Sequence, residues 1–264
     1  MHYQVPDIRL RCFDSNDFKH GNIAKTRFTV HDVVHIPSVY NIETYMSLLN
    51  ELETANINSK GKLLNPWHKA NHLIANDKHR GGAWKNECPT FQAIIDDISQ
   101  GFNITANATR VNIYRSGENG RWGHSETKPW HHDRSAKTPG LSQNITVGVS
   151  LGCDRELAFK HAKKKKSPDD KWYNIRSGAV VSTVCNSGSI YAFSRDVNCE
   201  FQHAVLPVHG QFGANNDFDR VSIIVWGTSY TMDVADSRVS KSNIPSSREL
   251  GVSDRGYRKF DSTN

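Results

Sequence analysis

Two adjacent histidines followed by an aspartate, in KPWHHDRSA (128–136), form the densest group of metal-ligating side chains in the sequence. In an extended strand, residues i and i+2 project from one face, so His131 and Asp133 would grip a cation together while His132 points away. A third ligand must come from elsewhere, and His203, near the start of the apolar stretch QHAVLPVHG, is the candidate. Two imidazoles and one carboxylate on one face of an octahedral ion leave three positions open, the donor set that suits a divalent non-heme iron. His124 and Glu126 have the same i, i+2 spacing seven residues upstream and compete for the same role. Arg220 lies 17 residues after His203 and opens the apolar run RVSIIVWG. A guanidinium pointing inward from such a strand needs an anion, and a carboxylate is the partner its planar fork fits best. A dicarboxylate co-substrate would supply it.

The elements that would carry these residues are mostly short strands. RFTVHDVVHI (27–36) alternates, and after a helix at 90–102 the segments 108–116, 144–152, 155–161, 179–185, 187–194, 202–210 and 220–230 read as β, separated by turns. Two amphipathic helices precede most of them. SVYNIETYMSLLNELETA (38–55) carries Tyr45, Leu48, Leu49 and Leu52 at helical spacing, and TFQAIIDDISQGF (90–102) carries Phe91, Ile94, Ile95, Ile98 and Phe102. Between them, 56–89 is polar and rich in Asn, Gly and Lys, and reads as long loops. The fold class is therefore α+β and mainly β, a jelly roll buttressed on one outer face by two N-terminal helices.

A chain of 264 residues fits one domain. We divide it into an N-terminal part, 1–104, holding a strand, the helices and the loops; a β core, 105–230; and a polar tail, 235–264, expected to be flexible. With 37% hydrophobic and 23% charged residues and no apolar run of spanning length, a membrane protein is not expected. The five cysteines are scattered and contain no CxxC pair, and the N-terminus lacks the pattern of a signal peptide. Reduced thiols and an intracellular location, cytoplasmic or nuclear, are expected, so the Asn-x-Thr sequons at Asn103, Asn107 and Asn144 are read as chance. A monomer is expected. The net charge of +6 favours an anionic partner, with its densest cluster in KHAKKKKSPDDKW (160–172), either a solvated hairpin loop or a phosphate contact.

Six pieces in order resemble the AlkB-like family of Fe(II)/2-oxoglutarate dioxygenases. NIYRSGENG (112–120) is similar to the family's Asn-x-Tyr-x-x-Gly segment and HHD (131–133) to its His-x-Asp. VGVSLGCDRELAFKH (147–161) is similar to a Ser-Leu-Gly strand followed by an Arg-x-x-x-Phe strand. SGSIYAF (187–193), QHAVLP (202–207) and RVSIIVWG resemble the stretch before the second histidine, the strand bearing it, and the Arg-led last strand. The resemblance spans about 105–228. It implies His131, Asp133 and His203 as iron ligands and as the catalytic centre, with Arg220 on the distal carboxylate of 2-oxoglutarate. It also implies Asn112 and Tyr114 as hydrogen-bond partners of that co-substrate, with Ser222 lining its pocket. Asp is the commoner family acid, which favours His131 over His124, although His124 lies closer to the usual spacing from Asn112. The family's second arginine, six residues after the first, is Trp226 here.

The implied cofactors are Fe(II), 2-oxoglutarate and O2. The implied reaction oxidises a substrate C–H bond while 2-oxoglutarate becomes succinate and CO2; an N-methyl group so hydroxylated is lost as formaldehyde. Family members act mostly on N-methylated nucleobases in DNA or RNA, which reach such a centre as single strands or flipped bases. For a nucleic-acid partner, the insert 56–89 is the candidate lid. Trp67, Trp84 and His68 would stack on a base, Lys60, Lys62, Lys69, Lys78, Arg80 and Lys85 would meet phosphates, and Trp130 is a further candidate substrate contact. Hydroxylation of a protein side chain or small molecule, and a non-catalytic nucleic-acid-binding module, are the alternatives.

Overall fold

The computed structural model describes residues 8–66, 72–77, 79–114, 128–133, 143–162, 181–206, 208 and 218–232. Strands β1 (Arg9–Cys12) and β2 (Asp32–Ile36) flank two short helices, α1 (Ser15–Lys19) and α2 (Asn22–Lys25). Helix α3 (Ile42–Asn58) follows, then β3 (Asn65–Pro66), β4 (His72–Asn76), a 3-10 helix (His79–Glu87) and α4 (Pro89–Gly101). The remainder is β5 (Ile104–Tyr114), β6 (Lys128–His131), β7 (Ile145–Gly152), β8 (Arg155–His161), β9 (Val181–Cys185), β10 (Ser189–Ser194), α5 (Arg195–Glu200), β11 (Phe201–Leu206) and β12 (Arg220–Ser229).

The strands form two sheets, one ordered β1-β2-β10-β7-β12-β5-β4-β3 and the other β6-β11-β8-β9. From β5 onward the chain alternates between them, except for the β8–β9 hairpin, and the pairs from β5 to β12 are antiparallel. That alternation wraps the chain into a jelly roll, the double-stranded β-helix anticipated from the strand spacing. The sheets face each other without closing into a barrel.

Both predicted helices form, and the residues that pattern them explain where they lie. Asn41 caps α3 by accepting from the Thr44 amide at 3.0 Å, and Pro89 opens α4 where its missing N–H costs nothing. Tyr45, Leu48 and Leu52 of α3 and Phe91, Ile94 and Ile98 of α4 join Val111, Ile113, Val147, Val149, Val221, Ile223 and Val225 in one buried cluster. The helices thus cover the outer face of the large sheet, which is why β7 is buried along its whole length. A second cluster, including Leu157, Phe159, Tyr191, Phe193, Phe201 and Trp226, fills the space between the sheets.

The segment 56–89 departs from the loop expected of it. Its apolar residues Leu73, Ile74 and Ala75 sit in β4, paired with β5 at the edge of the large sheet, and the 3-10 helix leads into α4. Helix α5 and β1 were also not anticipated, and the extended strand expected to carry both His131 and Asp133 ends at His131, in β6. Ser194 at the N-cap, accepting from the Val197 amide at 2.9 Å, with Asp196 in the first turn, is the signal that marked α5. No helix among the described residues is long and apolar enough to cross a membrane. The tail from Ala235 and most of the 160–172 lysine cluster lie outside the described residues.

Candidate metal centre

The register of the large sheet lays out the floor of a pocket between the sheets. Tyr114 pairs with Arg220, and Asn112 with Ser222, which on its other side faces Ser150 of β7. Side chains two apart along a strand share a face, so these residues project inward while Val111, Ile113, Val221 and Ile223 project toward the helices. The small sheet supplies the opposite wall. There His131 pairs with His203, their rings 4.2 Å apart, and His203 pairs in turn with Phe159. Asn112, Tyr114 and Ser222 of the large sheet and His131 and His203 of the small one line a shared cavity, with Lys128, Thr146, Tyr191 and Phe193.

His131, Asp133 and His203 converge in this cavity, their ligand atoms all within 4.8 Å of one another. Asp133 Oδ1 lies 3.4 Å from His131 Nε2 and 3.7 Å from His203 Nε2, so both rings face the same carboxylate oxygen. It is the one group of three or more potential ligands found among the described residues; His124 and Glu126 lie outside them. His132 turns away, its Nδ1 against the Asn198 carbonyl oxygen.

Asp133 is not on the strand itself, because β6 ends at His131. Its position comes from buried Asn198 of α5, whose side-chain oxygen accepts from the Asp133 amide at 2.8 Å and whose Nδ2 donates to the Asp133 carbonyl at 3.0 Å. The second carboxylate oxygen, Oδ2, accepts from Trp226 Nε1 at 3.1 Å. Trp226 stands where the resemblance implied an arginine, and the Arg110 guanidinium lies 5.4 Å from the centre of its ring. With Oδ2 held by the indole, Oδ1 is left for the cation.

The protonation states suit the same task. Burial lowers the His203 pKa to about 4, so its ring is neutral at physiological pH and offers a lone pair. Burial would raise the Asp133 pKa, but His203, His131 and Lys128 hold it well below the ordinary carboxylate range. Neutral imidazole and ionised carboxylate are the forms that bind a metal. The residues therefore fit a divalent iron, with Asn198 and Trp226 orienting the carboxylate behind it.

At the head of β12, paired with Tyr114 of the cavity lining, Arg220 is 1% exposed. Its Nε donates to Ser150 Oγ at 3.2 Å, and its guanidinium carbon lies 5.1 Å from the Tyr114 ring centre. No carboxylate pairs with Arg220 among the described residues, and its Nη1 has no hydrogen-bond partner there; nor does Asn112 Oδ1. Tyr191 lies alongside because position 148 is glycine: a Cβ there would overlap its ring.

Three proposed substrate contacts fare differently. Trp84 is fully buried beneath the helices, 4.9 Å from Phe91, with its indole donating to the Asn76 carbonyl at 3.2 Å. It is a packing residue with no face to stack on a base, because the α3–α4 layer needed a large side chain there. Trp130 is absent from the pocket lining and lies under the Lys160 ammonium at 4.4 Å. Trp67 and His68, with Lys69 and Lys78, lie outside the described residues.

Lys128, Tyr191, Asn198 and Trp226 are site residues that sequence reasoning did not assign. The insert also contributes His72, stacked on Tyr114 at 4.9 Å.

No family model and no curated protein matches the sequence. Among solved structures, the chain is similar to the non-heme α-ketoglutarate-dependent epimerase SnoN from nogalamycin biosynthesis, with TM-score 0.46, 12% identity, 81% of this chain and 84% of that one covered. SnoN in complex with Fe3+, α-ketoglutarate and nogalamycin RO gives TM-score 0.46 at 11% identity, over 81% of this chain and 84% of that one. OsALKBH1 gives TM-score 0.43 at 12% identity, over 74% of this chain and 97% of that one.

Proposed function

We propose that this protein is an Fe(II)/2-oxoglutarate-dependent dioxygenase that oxidatively demethylates N-methylated nucleobases in DNA or RNA. The observation that carries the enzyme class is the buried Arg220, paired with no carboxylate among the described residues and set beside Tyr114 of the cavity that holds the His131, Asp133 and His203 cluster. A buried guanidinium without a counter-charge is costly, and a bound dicarboxylate removes that cost. Arg220, with Ser222 and Tyr114 beside it, would hold the distal carboxylate, and Asn112 would hydrogen-bond the co-substrate nearer the metal. Bound iron supplies the activation of O2 coupled to decarboxylation of the oxo acid. The protein's part is to orient the acid and to keep a small, mostly buried cavity around it.

The nucleobase reading rests on the resemblance of 105–228 and on the basic balance of the chain, with exposed Lys60 and Lys62 in the insert. The test is incubation of methylated single- and double-stranded DNA and RNA oligonucleotides with Fe(II), 2-oxoglutarate and ascorbate, reading methyl loss and succinate by mass spectrometry. Methyl loss matched by succinate, and absent with His131→Ala, is the expected result. Succinate with unchanged oligonucleotides redirects the search to protein or small-molecule substrates, and no succinate overturns the oxygenase.

A further inference from the structure

Lys128 belongs to the small sheet, three residues before His131, and an odd spacing along a regular strand would put the two side chains on opposite faces. The β6–β11 register prevents this. His131 pairs with His203 and Lys128 with Val205, so three steps on β6 match two on β11. The extra residue is a bulge, and Pro129, which has no N–H to give to a ladder, lies in it. Lys128 is thereby turned into the cavity, with Nζ 3.9 Å from Asp133 Oδ1, the oxygen that both histidines face.

The charge balance of the cavity then has a consequence. Among the described residues that line it, Lys128 is the one amine and Asp133 the one carboxylate; burial lowers the Lys128 pKa and the Asp133 carboxylate works against that, holding the ammonium form. A divalent ion held by Oδ1 would compete with Lys128 for that carboxylate and would lie near its ammonium, in a site that water screens poorly. Metal alone is therefore opposed by Lys128. An anion lying between metal and ammonium reverses the sign of that interaction.

We propose that Lys128 is the metal-side anchor for the anionic co-substrate, binding the carboxylate that lies against the metal, and that it makes metal and dicarboxylate binding mutually dependent. This rests on the function proposed above. By linkage, whatever factor 2-oxoglutarate adds to metal affinity, metal adds to 2-oxoglutarate affinity.

The test is the dissociation constant of Mn(II), measured anaerobically by electron paramagnetic resonance of the free ion, with and without saturating 2-oxoglutarate. It compares the wild-type chain, Lys128→Met and Lys128→Arg, each checked for folding by circular dichroism. In the wild type, 2-oxoglutarate should tighten Mn(II) on the order of tenfold or more. Lys128→Met should bind Mn(II) alone more tightly than wild type and lose most of the tightening, while Lys128→Arg should restore it. Equal tightening in wild type and Lys128→Met overturns the role of Lys128 and leaves the dioxygenase reading intact. Failure of the wild type to bind Mn(II) at all overturns both.

Discussion

The indole of Trp226 does a job that a charged side chain would do differently. By donating to Asp133 Oδ2 it fixes the carboxylate plane without itself adding a positive charge beside the metal position, and the Arg110 guanidinium lies 5.4 Å from the centre of its ring. Trp226→Phe removes the donor and leaves most of the ring volume. It should weaken Mn(II) binding about 10- to 100-fold, the usual range for loss of a group that orients a metal ligand, with little change in the thermal midpoint of the metal-free protein. Metal titration followed by intrinsic fluorescence of the remaining tryptophans checks the first expectation and calorimetry the second. Unchanged metal affinity would show that Asn198 alone positions Asp133.

At the scale of elements, the strands that carry the site were legible because their chemistry agrees with their periodicity. Asn112 and Tyr114, and Arg220 and Ser222, are each two residues apart on a strand, so alternation puts each pair on one face, whereas Asp133, two after His131, lies past the end of β6 and is set by Asn198. What was not legible depends on which strand lies beside which. Trp226 reaches Asp133 across 93 positions, and Asn198 reaches it across 65 from a six-residue helix that supports no periodicity argument. Lys128 obeys alternation only once the bulge is known. Trp84 misled for a related reason: its polar neighbours suggested a loop, whereas β4 and the 3-10 helix tuck it under α4.

Gly148 shows how tightly these elements are matched. It lies on β7 opposite Tyr191 of β10 and Ile224 of β12, and its missing side chain is the space the tyrosine ring occupies. Gly148→Ala should cost about 1–3 kcal/mol as overpacking and weaken 2-oxoglutarate binding as the ring is pushed into the cavity. Urea unfolding and a ligand titration measure the two effects. Adding Tyr191→Leu should recover most of the stability, and failure to recover it would place the strain elsewhere.

For the whole molecule, burial of the site couples it to stability. His203 has a folded pKa of about 4 against an ordinary 6.5, so between these values the unfolded chain binds the proton that the folded chain refuses. The contribution is fully present above about pH 6.5 and is lost as pH falls toward 4, amounting to on the order of 3 kcal/mol for this group. Asp133, held low, adds its own loss only in more acidic solution. The metal-free protein should therefore lose stability from pH 6.5 to 4, and His203→Gln should flatten that slope. Denaturant midpoints across the range are the measurement, and an unchanged slope in the variant would assign the acid sensitivity to other groups.

The two sheets divide the pocket between them: His131, His203 and Lys128 come from the small one, and Arg220, Asn112, Tyr114 and Ser222 from the large one. A molecule held at both ends is thus a rivet through the two halves of the fold. Parting the sheets would also release such a molecule, so occupancy of the pocket would add to the stability of the fold.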